Sequence, residues 1–362
     1  MNFMHLRWQQ RLAAYARSVR LLALGIAGSI VLACGDSGAA GPIRVKVEGA
    51  RTVITTQSEL IAHPTDLVLD RSGTLYVLDG QNNRILVIDT AGEVQRQFGR
   101  GGAGPEELER PTGIAVQEDT VVVLDRGNGR IQRWLSTGQH VGTQNQEEFS
   151  GGGPTALHAT GALAVGTMGE GDVLVNILDK HGQLVGGLRA PITPPVAIVN
   201  FTELKSEISA GVVPAFLRNI AVPVWHNDSE VWLLLQTENT VERYSVTGTL
   251  KSSTQLELPE AEAIRAAFFK RNEEGAGLPQ LAYAADGVVV ENMLWILLNL
   301  PADSPAVIVR IEEEGNVFQI LEFPEITGAR SFAVDRAAQR IYFGVSTTAE
   351  ILAVDLENSP VR

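Results

Sequence analysis

Apolar residues in this chain come in short runs rich in Val, Ile and Leu, separated by Gly, Asp and Asn. Leu75–Leu78, Ile85–Ile88, Val121–Leu124, Val231–Leu235, Leu294–Leu298 and Ile341–Phe343 are of this kind. They are too short for helices, and runs bounded by turn residues are what strands buried on both faces require. Two stretches break the rhythm. Asn200–Asn219 and Pro259–Asn272 space their apolar residues as helices do, with charges between them. The second opens on Pro259, Glu260 and Glu262 and ends on Lys270 and Arg271, which suits the helix dipole.

The strand pattern repeats. Pro64-Thr65-Asp66, Gly73, Leu75-Tyr76-Val77, Asp79, Asn83-Arg84-Ile85 and Gly92 are matched by Pro111-Thr112-Gly113, Asp125, Gly129-Arg130-Ile131 and Gly138. The offset falls in the ~40–50 residue range of propeller blades. A third copy starts at Pro154-Thr155 and reaches the His181-Gly182 turn, and three more keep the strands but lose the turn signature. The last copy stops after three strands, while Ile43–Thr56 is a spare β-rich segment ahead of the first. A closed ring leaves no open sheet edge, so this segment is expected to complete the last blade. The expectation is an all-β six-bladed β-propeller over residues 43–362, with helical insertions at about 200–219 and 259–280 and an N-terminal strand closing blade six.

The Pro…Gly…Leu-Tyr-Val…Asp…Asn-Arg-Ile…Gly order of the first two copies resembles the NHL-repeat family of six-bladed propellers. The later copies share only the rhythm, with Gln236 where the first copy has Asp79 and Val241 where it has Arg84. The resemblance implies the architecture and no particular activity.

The N-terminus reads as an address. Arg7, Arg11, Arg17 and Arg20 precede an apolar run from Leu21 to Ala33, with no acid among them. As a helix this run would span only ~20 Å, short of a bilayer core, so residues 1–33 are expected to be a secretory signal peptide. Val31-Leu32-Ala33-Cys34-Gly35 resembles the lipobox of bacterial lipoproteins, which implies lipid attachment at Cys34, the chain's only cysteine. Residues 34–42 would be the lipidated Cys and a flexible tether. Stable anchoring follows from several acyl chains at ~0.8 kcal/mol per buried CH2. The place is then the bacterial cell envelope, the outer membrane if the host is Gram-negative.

Composition narrows the partners. Among 362 residues, 29 Lys and Arg face 42 Asp and Glu, a formal charge of -13. That balance argues against nucleic acid, whose binding rests on basic surface. With one cysteine, no disulfide staples the fold.

If each blade runs inner strand first, the long connections gather on one face together with both insertions. Long loops on a rigid scaffold are where binding concentrates. The candidate ligand-binding residues on this face are His63, Asp66, Arg84, Arg100, Arg126 and Arg130. Asp79 and Asp125 are expected to bond their own turns, with Arg84 and Arg130 pairing with carboxylates between blades. His158, Trp225, Trp232 and Trp295 read as core. The chain has no H-E-x-x-H, G-x-S-x-G or P-loop sequence. The reading is a non-catalytic module, anchored to a membrane, that binds a protein, peptide or glycan. No cofactor is called for. The alternative is a metal-assisted lactonase or lyase using His63, Asp66 and acids from other blades, which keeps a divalent metal open. A third is a scaffold subunit docking through its inserted helices.

Overall fold

A computed structural model describes residues 42–54, 60–146, 153–194, 201–273 and 280–356. The signal peptide, Cys34 and almost all of the tether lie outside the described residues. The chain divides into Met1–Gly41 and Pro42–Arg362, and the second unit is a six-bladed β-propeller. Blades one to four are four-stranded antiparallel sheets in chain order, with innermost strands Pro64–Leu69, Gly113–Gln117, Thr155–Leu157 and Ala221–Asn227. Blades five and six begin at Ala284–Val290 and Ala329–Asp335. The innermost strands touch one another all the way round, blade six meeting blade one.

The alternation of side chains explains why the middle strands carry continuous apolar runs. In blade one Leu75 and Val77 pack towards blade six, while Tyr76 and Leu78 pack towards blade two. Each pair of neighbouring blades encloses its own core cluster, so a strand buried on both faces has no solvent-facing position to fill with a polar residue. Trp232 and Trp295 sit in these cores as expected, at 0% and 3% exposure. Both insertions are helical. In α1 (Phe201–Ser209) Leu204 and Ile208, and in α2 (Pro259–Glu273) Ile264 and Phe268, are spaced one turn apart and share the core between blades four and five.

Closure differs from the expectation in one respect. Arg51–Ile54 pairs antiparallel with Glu350–Asp355 and supplies the outer strand of blade six. Ile43–Lys46, expected in the same strand, instead adds a fifth strand to blade five, parallel to Val317–Thr327. The turn between them explains the split. Arg44 bridges Glu260 and Glu322 at 2.7 and 2.8 Å, and the backbone N–H groups of Gly49 and Ala50 donate to the Glu325 carboxylate at 3.0 and 2.6 Å. The segment is thereby pinned to blade five before it crosses to blade six.

Candidate functional site at the mouth of the central channel

The innermost strands enclose a central cavity of about 550 Å3 lined from all six blades. Its wall is about half polar and half apolar, formed by the innermost strands, whose side chains Leu67, Ile114 and Val224 turn into the cores between blades. Three lining side chains are charged: Asp66 of blade one, Asp286 of blade five and Arg330 of blade six. A cavity of this size with a few convergent polar groups falls in the range of small-ligand sites.

Backbone irregularity places these charges. The pairing of the innermost strand with the next strand slips between Pro64 and Asp66, between Ala284 and Asp286, and between Ala329 and Ser331. Thr65, Ala285 and Arg330 are thus extra residues at equivalent positions in three consecutive blades. Such bulges re-aim side chains, here where the innermost strands start at the loop-bearing face. The residue after each bulge reaches across to the next blade. Asp286 accepts from Phe332 N at 3.0 Å, Ser331 Oγ donates to Pro64 O at 3.3 Å, and Asp66 accepts from Ile114 N at 2.9 Å.

Burial dominates the electrostatics of the two aspartates. It raises the Asp66 carboxyl to about 8, with the neighbouring Asp286 charge adding to the effect, against the backbone N–H groups of Ile114 and Leu67. Burial raises Asp286 to about 6, opposed by the N–H groups of Phe332 and Gly287. Both carboxyls are therefore held protonated to higher pH than an exposed aspartate. Arg330 turns the other way, donating to the carbonyls of Ala329 at 3.0 Å and Leu300 at 3.5 Å. Leu300 lies in the turn after Met293–Leu298, on the loop-bearing face. Burial lowers the Arg330 pKa and the nearby Arg271 guanidinium at the end of α2 lowers it further.

Among the sequence-derived candidates, Asp66 alone lines the channel. Arg126, half-buried, touches its rim by donating to Gly153 O and Thr155 Oγ1 at 3.2 and 3.4 Å. His63 is exposed, bonds Thr65 Oγ1 at 3.1 Å, and is not a lining residue. Arg84 and Arg130 pair with the aspartates of their own blades rather than between blades: Arg84 with Asp79 at 3.3 Å, Arg130 with Asp125 at 2.7 Å. They also hold the entering chain. Arg84 donates to Leu60 O, and Arg130 to the carbonyls of Ala103, Gly104 and Glu107. Asp79 and Asp125, both wholly buried, accept as well from the backbone of Ala62, His63 and Glu109. Arg100 is largely exposed and pairs with Glu107 at 3.1 Å.

Two further residues sit elsewhere than their sequence suggests. Trp225, expected in the core, is half-buried and lines the channel, its indole N–H donating to Ala156 O at 3.2 Å. His158 sits in the turn after Thr155–Leu157. Its ring stacks on Trp225 at 4.9 Å, and its Nε2 lies 3.3 Å from Asp228. His226, Glu230 and Glu313 form a candidate metal-ligand group, but Arg243 occupies it, 2.8 Å from Glu230 and 2.6 Å from Glu313.

Asp286 and Arg330 escaped the sequence reading. The only signal for them is positional. Each lies one or two residues into an innermost strand, as Asp66 does, but without the Pro-Thr that marks the first blades.

The comparisons agree on architecture. A family model described as "6-bladed beta-propeller" matches residues 53–149, most of blades one and two. No curated protein matches the chain. Solved structures match over nearly their whole length. Virginiamycin B lyase from Staphylococcus aureus is 12% identical, with 85% of this chain and 99% of that chain covered and a TM-score of 0.51. A putative exported protein from Bacteroides fragilis is 11% identical, with 88% and 99% covered and a TM-score of 0.53. A DUF4221 family member from Bacteroides vulgatus is 8% identical, with 86% and 97% covered and a TM-score of 0.52. At these identities the likeness is one of fold.

Proposed function

We propose that this protein is a binding module that takes its ligand into the mouth of the central channel. The observation that carries this reading is the 550 Å3 cavity, furnished with Asp66, Asp286 and Arg330 by blades one, five and six. In the same proposal the chain is a bacterial lipoprotein held to an envelope membrane through Cys34, its blades are NHL-like, and its ligand is a protein segment, a peptide or a glycan. Under this reading the Asp79–Arg84 and Asp125–Arg130 pairs are structural, and recognition belongs to the bulged entries of blades five, six and one.

Trp225 offers an internal reporter, since its ring lines the cavity. Titration with candidate peptides and glycans should alter its fluorescence, and Thr112→Trp, at an exposed lining position, should block both the binding and its fluorescence signal. Binding that survives the blocked mouth sinks the channel reading.

The second reading, a metal-assisted lactonase or lyase, is favoured by the Asp66–Asp286 pair. Two carboxylates and the lining threonine hydroxyls are hard oxygen donors of the kind Mg2+ or Ca2+ takes, whereas His63 would not contribute. The metal content of the purified protein, with melting in the presence and absence of a chelator, decides between the two. A stoichiometric ion whose removal lowers the Tm, with the effect lost in Asp66→Asn, supports the enzyme.

A further inference from the structure

The charges around the channel mouth are separated rather than paired, and this separation points to a ligand. Asp66 and Asp286 face each other closely enough for one charge to raise the other's pKa. Arg330, from the blade between theirs, makes no ion pair with either among the described residues. It turns to the rim, where its neighbour is a second guanidinium, Arg271. Among the described residues Arg271 donates to Ala267 O of its own helix, and neither arginine meets a carboxylate. A half-buried guanidinium on the channel wall with no carboxylate partner among the described residues, and with a second positive charge nearby, is stabilised by an anion. The two aspartates on the channel wall, with no cationic partner among the described residues, are in the same position towards a cation. Between them about half of the wall is apolar.

We propose that the channel selects a small dipolar ligand, with an ammonium group for Asp66 and Asp286, an anionic oxygen group for Arg330 and Arg271, and an apolar frame. A short peptide with apolar side chains and free termini is the simplest molecule of this class. A guanidinium engages a terminal carboxylate through two parallel N–H···O bonds, which gives direction as well as affinity. The apolar half of the wall favours a peptide with apolar side chains over a phosphoethanolamine group, which has only two methylenes to bury. The assignment rests on the channel-binding reading above.

The test is calorimetric titration of the purified protein at pH 7 with Leu-Phe dipeptide, its N-acetyl form, its C-terminal amide and O-phosphoethanolamine. The free dipeptide should bind, and each blocked form should bind at least tenfold more weakly. Arg330→Met should abolish the difference between free and amidated peptide, and Asp286→Asn the difference between free and acetylated peptide. The blocked-ligand comparison uses the unaltered protein, so it stands even if a variant folds poorly. Tighter binding of O-phosphoethanolamine keeps the dipolar class and makes the anion a phosphate. Equal binding of free and blocked peptides, or no binding by any of the four, overturns the proposal. If all peptides bind equally and Thr112→Trp abolishes every one, the dipolar assignment fails while the channel reading stands. If Thr112→Trp leaves binding intact, both fail.

Discussion

Two carboxyls held protonated above their ordinary range should make the fold less stable as pH rises. In the unfolded chain an aspartate titrates near ~3.9. In the fold Asp286 titrates at about 6 and Asp66 at about 8. Between these limits the native state binds more protons than the unfolded state, so the unfolding free energy falls with increasing pH. Each excess proton contributes a slope of ~1.4 kcal/mol per pH unit. From pH 5 to pH 8 Asp66 contributes over the whole interval and Asp286 over its first third, an unscreened loss of ~5 kcal/mol. Both side chains face a channel wide enough for water, which screens them, so we expect ~2–3 kcal/mol. For a domain of this size that is a fall of ~3–5 °C in Tm. The buried histidines act in the opposite sense. Burial lowers the pKa of His158 and His226, so their contribution rises with pH up to ~6.5. Asp66→Asn combined with Asp286→Asn removes the first effect and leaves the second. The assay is a melting curve at each half pH unit from 4.5 to 8.5 for both proteins. A profile for the unaltered protein that stays flat from pH 5 to 8, or that the double variant reproduces, refutes the reasoning.

Three other outcomes are expected, two from the structure and the third from the proposed lipid anchor. Arg130→Met should cost ~3–4 kcal/mol in denaturant titration, since it strips a buried aspartate of its cation and three carbonyls of their donor, while Arg84→Met, at a longer and more exposed pair, should cost ~1 kcal/mol. Ile54→Asp, which buries a charge at the closing strand, should open blade six and expose Glu350–Asp355 to limited proteolysis well below the global melting temperature. Cys34→Ser in a bacterial host should move the protein from the membrane fraction to the soluble fraction, and retention at the membrane would dismiss the lipid anchor.

Much of the architecture was legible because propeller blades make redundant demands on sequence. Blades one and two carry a strand pattern and, in addition, Asp79 with Arg84 and Asp125 with Arg130, whose fixed spacing across one turn marks each copy. Blades four to six lost the second signal, yet Val231–Leu235 and Leu294–Leu298 still read as strands because burial on both faces leaves only apolar residues. The N-terminal segment was half legible. Ile43–Lys46 and Arg51–Ile54 are both plausible strands, but their separate destinations depend on Arg44 meeting Glu260 and Glu322, contacts between residues distant in sequence. The same reasoning misplaced Trp225, because an innermost strand has one face on the channel and an aromatic there resembles core.

The site was largely illegible for a related reason. Asp66 could be singled out beside Pro64 and Thr65, but Asp286 and Arg330 acquire their meaning only through bulges and ring closure. Blades five, six and one surround the seam where Arg51–Ile54 pairs with Glu350–Asp355, and the post-bulge residues carry the contacts from blade five to six, six to one and one to two. The aspartates at the channel mouth thus also hold the seam together. A ligand that engages Asp66, Asp286 and Arg330 would bind the closed ring and not the opened one, so it should raise the stability of the seam by mass action. Protection of the Phe332 and Ile114 amides from hydrogen exchange should therefore increase with ligand concentration, whereas amides in blade three, remote from the seam, should respond only through global unfolding. Equal gains in protection at both places would separate recognition from closure and leave the bulges a purely structural device.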